Sequence, residues 1–159
     1  MIHHERTLDI DANPDNIWAM LSRFMQIDEI APQVVHVEAL THGANGVGSR
    51  RRCYFENGTS LVEEVAKWTP GRGYTVQLSE MSAMPITKAH AAIAIEVLTE
   101  NRVRVTWSMD YRMKYGLLGW LIGQTLMKVM IGRILDGNLK ALSEKMRSVR
   151  FPDGQLAYY

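Results

Sequence analysis

The chain has 159 residues and 47% hydrophobic content, enough for one domain with a sizeable core and too little for two. Its net charge of +1 argues against a nucleic-acid partner. The single cysteine, Cys53, excludes an internal disulfide framework and suits a reducing cytoplasm, which is the expected location.

The first residues carry His3, His4, Glu5, Arg6 and Asp9 where a signal peptide needs an apolar run, so no secretion signal is expected. Thr7 to Ile10 alternates with the period of a half-buried strand, Leu8 and Ile10 pointing one way. Asn13-Pro14 reads as the N-cap and first residue of a short helix that turns Ile17, Trp18 and Leu21 inward. A second helical piece spans Phe24 to Ile30 and ends before Pro32. Asp15, Asp28 and Glu29 stand there against one Arg23, so the pair is packing and not a DNA reader.

Strand-like runs follow. Val34 to Leu40, Ser49 to Phe55, Leu61 to Trp68, Tyr74 to Ser79, Thr87 to Leu98 and Arg102 to Met113 are separated by turn chemistry, including Asn57-Gly58 and Thr69-Pro70-Gly71. With the first strand this predicts seven antiparallel strands in consecutive order, an α+β arrangement in which a curved sheet wraps a helix.

That helix is the proline-free run from about Tyr115 to Arg147. A uniform 3.6-residue period places Trp120, Gln124, Met127, Ile131, Leu135, Leu142 and Met146 on one core-facing stripe. The second half is amphipathic. The first half is apolar all round, with Leu118, Ile122, Leu126 and Val129 on the side away from the core, and therefore needs a second covering surface. Gln124, Lys128 and Arg133 interrupt the apolar run, which favours a buried or interface helix over a transmembrane span. Residues 151–159 are expected to form a flexible tail.

At this point the sequence resembles the START-like helix-grip superfamily (SRPBCC) in its polyketide cyclase/dehydrase-like branch. The resemblance rests on Ile10-Asp11-Ala12-Asn13-Pro14-Asp15-Asn16-Ile17-Trp18, Gly46-Val47-Gly48-Ser49-Arg50-Arg51, Glu63-Glu64-Val65-Ala66-Lys67-Trp68-Thr69-Pro70-Gly71-Arg72 and Val105-Thr106-Trp107-Ser108-Met109-Asp110-Tyr111. It covers nearly the whole chain and implies a single helix-grip domain over residues 1–159, of a kind found in bacteria. It also implies an elongated apolar cavity between sheet and long helix, used across the superfamily for lipids, sterols, polyketides and hormones. Some relatives cyclise or dehydrate; many only bind or carry.

Strand alternation assigns the cavity wall. Val103, Val105, Trp107, Met109, Tyr111 and Met113 share one face of the last strand, and Ala89, Ala91, Ile93 and Ile95 share the matching face of its neighbour. Glu63 lies on a face with Leu61 and Val65 and is the polar candidate there, as an acid/base, a ligand anchor or half of a structural ion pair with Arg50 or Arg52. A bulge would exchange it with Glu64. Arg52 and Tyr54 are expected to line the pocket, Tyr111 and Trp107 offer donors inside it, and Met81, Met84, Met109, Met113, Met127 and Met130 gather around its mouth and wall. The expected ligand-binding set is thus Arg52, Tyr54, Glu63, Val65, Ala91, Ile93, Trp107, Met109, Tyr111, Trp120, Gln124, Met127 and Ile131, with Glu63 the catalytic candidate.

Metal binding fails on spacing, since the five histidines are scattered and Cys53 has no paired ligand. No GxSxG elbow or phosphate loop is present, and no cofactor is implied. Three functions follow as expectations: binding or carriage of a hydrophobic small molecule, a cyclase or dehydratase using Glu63, or an interaction module. The last would use Leu118, Ile122, Leu126 and Val129, through a homodimer or another protein.

Overall fold

The computed structural model describes residues 1–81 and 84–148. The tail expected over 151–159, and Ser82 and Ala83 of the Met-rich loop, lie outside the described residues. Among the described residues there are seven strands: β1 (Ile2–Ile10), β2 (Val34–Ala39), β3 (Arg50–Phe55), β4 (Ser60–Thr69), β5 (Gly73–Ser79), β6 (Ile86–Thr99) and β7 (Arg102–Met113). They form one open antiparallel sheet in the order β1-β7-β6-β5-β4-β3-β2. The first two strands are therefore opposite edges, and the chain must cross the whole sheet between them.

It crosses by α1 (Pro14–Leu21) and a 3-10 segment (Phe24–Glu29). The Asn13 side chain accepts the Asp15 amide at 2.9 Å, capping a helix that Pro14 opens. Ile17, Leu21 and Phe24 are fully buried beneath the crossing.

β1 begins five residues earlier than its alternation suggested, at Ile2. Its extra length was masked because the inward positions alternate Ile2, His4, Arg6, Leu8, Ile10, so that polar residues occupy places usually held by apolar ones.

The long C-terminal helix runs from Gly116 to Ser148. It is reached through two consecutive left-handed residues, Tyr115 at φ +68° and Gly116 at φ +55°. It consists of α2 (Gly116–Ile122), a π turn (Gly123–Met127) and α3 (Lys128–Ser148). Ile131, Leu135, Leu139, Leu142 and Met146 form the buried stripe of α3, seated mainly on β1 and β7. They join Ile93, Ile95, Val105 and Trp107 in one contiguous apolar cluster.

The π turn corrects the expected stripe. Its i→i+5 hydrogen bonding inserts one extra residue into the helical ring, and at about 100° per residue this rotates everything before it away from the line of α3. Trp120 and Gln124, expected on the core side, are exposed, while Gly119 takes the buried position in α2. Gly119 is required there, because a methyl group would collide with the Lys114 carbonyl oxygen.

Candidate functional site

Two polar insets interrupt the apolar inner face. The first sits on β3 and β4, where the register pairs Arg51 with Glu63 and Cys53 with Leu61. Arg51 is 2% exposed, yet its guanidinium is fully engaged. Nε donates to Glu63 Oε2 at 2.6 Å, Nη1 donates to the Phe24 carbonyl, and the group lies 3.9 Å from the Phe24 ring centroid. Burial alone would depress the guanidinium, but Glu63, ahead of Tyr74 and Cys53, more than reverses that and holds it charged. Burial and then Glu63 push the Cys53 thiol up to about 12, which leaves it inert as a nucleophile at neutral pH.

An aromatic line continues from this pair. Phe24 meets Tyr74 edge-on at 5.9 Å, Tyr74 stacks on Trp68 at 5.2 Å, and Trp68 meets Trp18 at 5.1 Å. Burial raises the Tyr74 hydroxyl above its ordinary value. This inset therefore ties the crossing segment to the sheet: Arg51 holds Phe24, and Glu63 holds Arg51.

The second inset lies on β1 and β7 beside the long helix. The buried His4 ring and Tyr111 hydroxyl are joined by a 2.9 Å hydrogen bond between His4 Nε2 and Tyr111 Oη. Burial, then the charges of Lys128 and Arg6, lower His4 below its ordinary value, so the ring is neutral at pH 7. Burial raises the Tyr111 hydroxyl, which is therefore also neutral. Arg6, next inward on β1, crosses α3 at Gly132, where a methyl group would stand 2.5 Å from Arg6 Nη2. It reaches Asp136 at 3.4 Å.

The structure divides the sequence-predicted set. Glu63 and Val65 face inward, as do Ile93, Trp107 and Tyr111, which are buried, and Ala91 and Met109, which are only partly covered. Met127 and Ile131 are buried beneath the helix. Arg52 and Tyr54 lie on the opposite face and are corrected: Arg52 pairs with Glu80 at 2.5 Å, and the Tyr54 hydroxyl donates to Glu38 at 2.9 Å. The partner of Glu63, expected to be Arg50 or Arg52, is likewise corrected: it is Arg51, which lies between them. Three successive arginines gave the alternation no phase; the apolar Cys53, two residues on from Arg51, is the signal that sets it. Trp120 and Gln124 are off the inner face for the reason given above, and Met130 is exposed.

His4 and Arg6 were missed. Continuing the alternation backwards from Ile10 and Leu8 would have placed both inside. A half-open groove of about 290 Å³ also lies between β1 and α3, lined by Thr7, Leu8, Leu139, Lys140, Ser143 and Glu144 among others. None of the expected ligand residues borders it.

Residues 1–147 match the family described as polyketide cyclase/dehydrase and lipid transport. No curated protein sequence matches the chain. Among solved structures, the chain is similar to the protein XoxI from Bacillus cereus, at 20% identity and TM-score 0.74 over 92% of this chain and 96% of that one. It is similar to a START superfamily protein from Mycobacterium smegmatis, at 18% identity and TM-score 0.72 over 92% and 97%. It is also similar to norcoclaurine synthase from Thalictrum flavum, solved with dopamine and hydroxybenzaldehyde, at 16% identity and TM-score 0.71 over 94% and 88%. At these identities the likenesses establish the helix-grip architecture, which matches the seven-stranded antiparallel sheet and long C-terminal helix described above.

Proposed function

Because the chain belongs to the polyketide cyclase/dehydrase and lipid transport family, we propose that it binds a hydrophobic small molecule between the inner face of β6 and β7 and the first half of the long helix. One observation carries this reading. Ala91 and Met109 face the interior but are only partly covered, and the wall they share ends on the neutral His4–Tyr111 pair. An apolar wall with one convergent polar pair is the chemistry of a small-molecule site. Apolar contact supplies the affinity, and the Tyr111 hydroxyl or the His4 ring orients a ligand oxygen. A lipid-like, polyketide or aromatic ligand suits that wall, and the aromatic ligands of the Thalictrum enzyme support the last class.

The rival reading makes Glu63 an acid/base of cyclisation or dehydration. The commitment of Glu63 to Arg51 supports a countercharge role instead.

The test is a fluorescence titration with anilinonaphthalene sulfonate, alongside native mass spectrometry of freshly purified protein. Met109→Trp, which adds bulk beside its cross-strand partner Ala91, is expected to weaken the probe at least about tenfold. Tyr111→Phe, which removes the hydroxyl offered to the ligand, is expected to weaken an oxygen-bearing aromatic ligand by about two- to tenfold. Probe binding unchanged in Met109→Trp would place the ligand elsewhere and end this reading.

A further inference from the structure

The first half of the long helix is left uncovered by the fold. Among the described residues, thirteen large hydrophobic side chains are exposed, and nine of them fall between Tyr115 and Met130. Leu117 is 76% exposed, Leu126 70% and Leu118 65%. Scattered exposure needs no explanation, but a contiguous patch of this kind marks an interaction surface. At a rise of 1.5 Å per residue it extends for about 23 Å.

Its charge is one-sided. Lys114, Lys128 and Arg133 are all exposed, and no Asp or Glu occurs between residues 111 and 135. The chain as a whole is nearly balanced, with 18 basic and 17 acidic residues, so the excess is local to this element. Tyr115 and Trp120, both exposed, add aromatic rings suited to the level of lipid headgroups.

We infer that this face docks on an anionic lipid surface, with the apolar side chains of α2 and the π turn entering the headgroup boundary and the three cations meeting lipid phosphates. An apolar helix flanked by cations is the chemistry of interfacial binding. A second copy fits less well. A two-fold contact sets each patch against itself, bringing three cations against three with no acid between them. Crossing the bilayer also fits less well. The helix from Gly116 to Ser148 is long and apolar enough by composition, but the stripe from Ile131 to Met146 is spent on the sheet. The remaining stretch is shorter than the roughly 20 residues a span requires. This inference does not rest on the ligand reading, since vesicle binding needs no occupied pocket.

The test is co-sedimentation of the full chain with vesicles of phosphatidylcholine alone and with about a third of the lipid replaced by phosphatidylglycerol. The expected result is binding to the anionic vesicles that is at least about tenfold weaker on phosphatidylcholine and declines with added salt. Leu118→Glu combined with Leu126→Glu is expected to abolish it while leaving the melting transition in place. Lys114→Gln combined with Arg133→Gln is expected to weaken it about tenfold or more. Equal binding to both vesicle types, or full binding by the Lys114→Gln/Arg133→Gln protein, overturns the inference. So does a dimer in sedimentation equilibrium that Leu118→Glu/Leu126→Glu dissolves, with vesicles unbound; the occupant is then a second copy.

Discussion

Glu63→Gln separates a structural carboxylate from a chemical one. The substitution keeps the side-chain shape but removes the countercharge of Arg51, a guanidinium whose side chain is 3% exposed. Opposite charges about 4 Å apart at an effective dielectric near 20 attract by about 4 kcal/mol, and breaking a buried pair by removing one member costs about 3–5 kcal/mol. Gln retains an acceptor for Arg51 Nε, and the Glu63 side chain is 15% exposed, so the lower end, about 3 kcal/mol, is expected. For a domain of this size each kcal/mol moves the melting temperature by about 2–4 °C, which gives a fall of about 6–12 °C. Urea unfolding followed by tryptophan fluorescence measures it directly. Replacing both partners, Arg51→Met with Glu63→Leu, should recover part of the loss, since an apolar pair tolerates burial. Recovery stays incomplete because the Phe24 carbonyl loses its donor. If Glu63→Gln lies within about 1 kcal/mol of the parent, the countercharge argument fails and Glu63 is free for proton transfer.

Adjacent histidines are expected to titrate in opposite directions from the ordinary value of 6.5, as read by two-dimensional NMR. The hydrogen bond to Asp110, then that to Glu5, raises His3, so its contribution to stability is complete below about pH 6.5 and is lost as pH rises through its folded value. Burial lowers His4, so its contribution is complete above about pH 6.5 and is lost as pH falls toward its folded value. A shared direction of shift would contradict the assigned environments. Gly119→Ala should destabilise by about 1–3 kcal/mol through its clash with the Lys114 carbonyl, with faster proteolysis between residues 115 and 122; an unchanged melting curve would refute that close approach. Leu142→Ala, at a fully buried position, should cost about 2–5 kcal/mol by urea unfolding, and a loss below about 1 kcal/mol would deny α3 its place in the core.

Where local chemistry was unambiguous, the fold was readable before any coordinates. Asn13-Pro14 announced α1, the turn residues separated the strands, and the last two strands alternated cleanly enough to assign Trp107 and Tyr111 inward. Errors arose where the local pattern was degenerate. Arg50, Arg51 and Arg52 are chemically alike, so no phase could be taken from them, and the pocket acquired Arg52 and Tyr54 in error. β1 concealed His4 and Arg6 because an inward polar residue looks like an outward one until the pairing with β7 is known. The π turn was unreadable for a different reason: Gly123-Gln124-Thr125-Leu126-Met127 carries no residue that forbids a regular helix, so a uniform period was extended across it.

The π turn also separates the constraints on the two ends of one helix. Residues after it are tied to the sheet by volume and close packing, and each change there is felt throughout the interior. Residues before it are set out of phase with that interior by the count of residues in a single turn. Tightening 123–127 into a regular α-turn with every residue kept would swing Trp120 and Gln124 back toward the core line, converting an outward face into an inward one without altering a side chain, whereas deleting one residue would remove the bulge and leave that face where it is. The hydrogen-bonding pattern of this one turn is therefore a compact lever, able to change what the first half of the helix presents while α3 keeps its hold on the sheet.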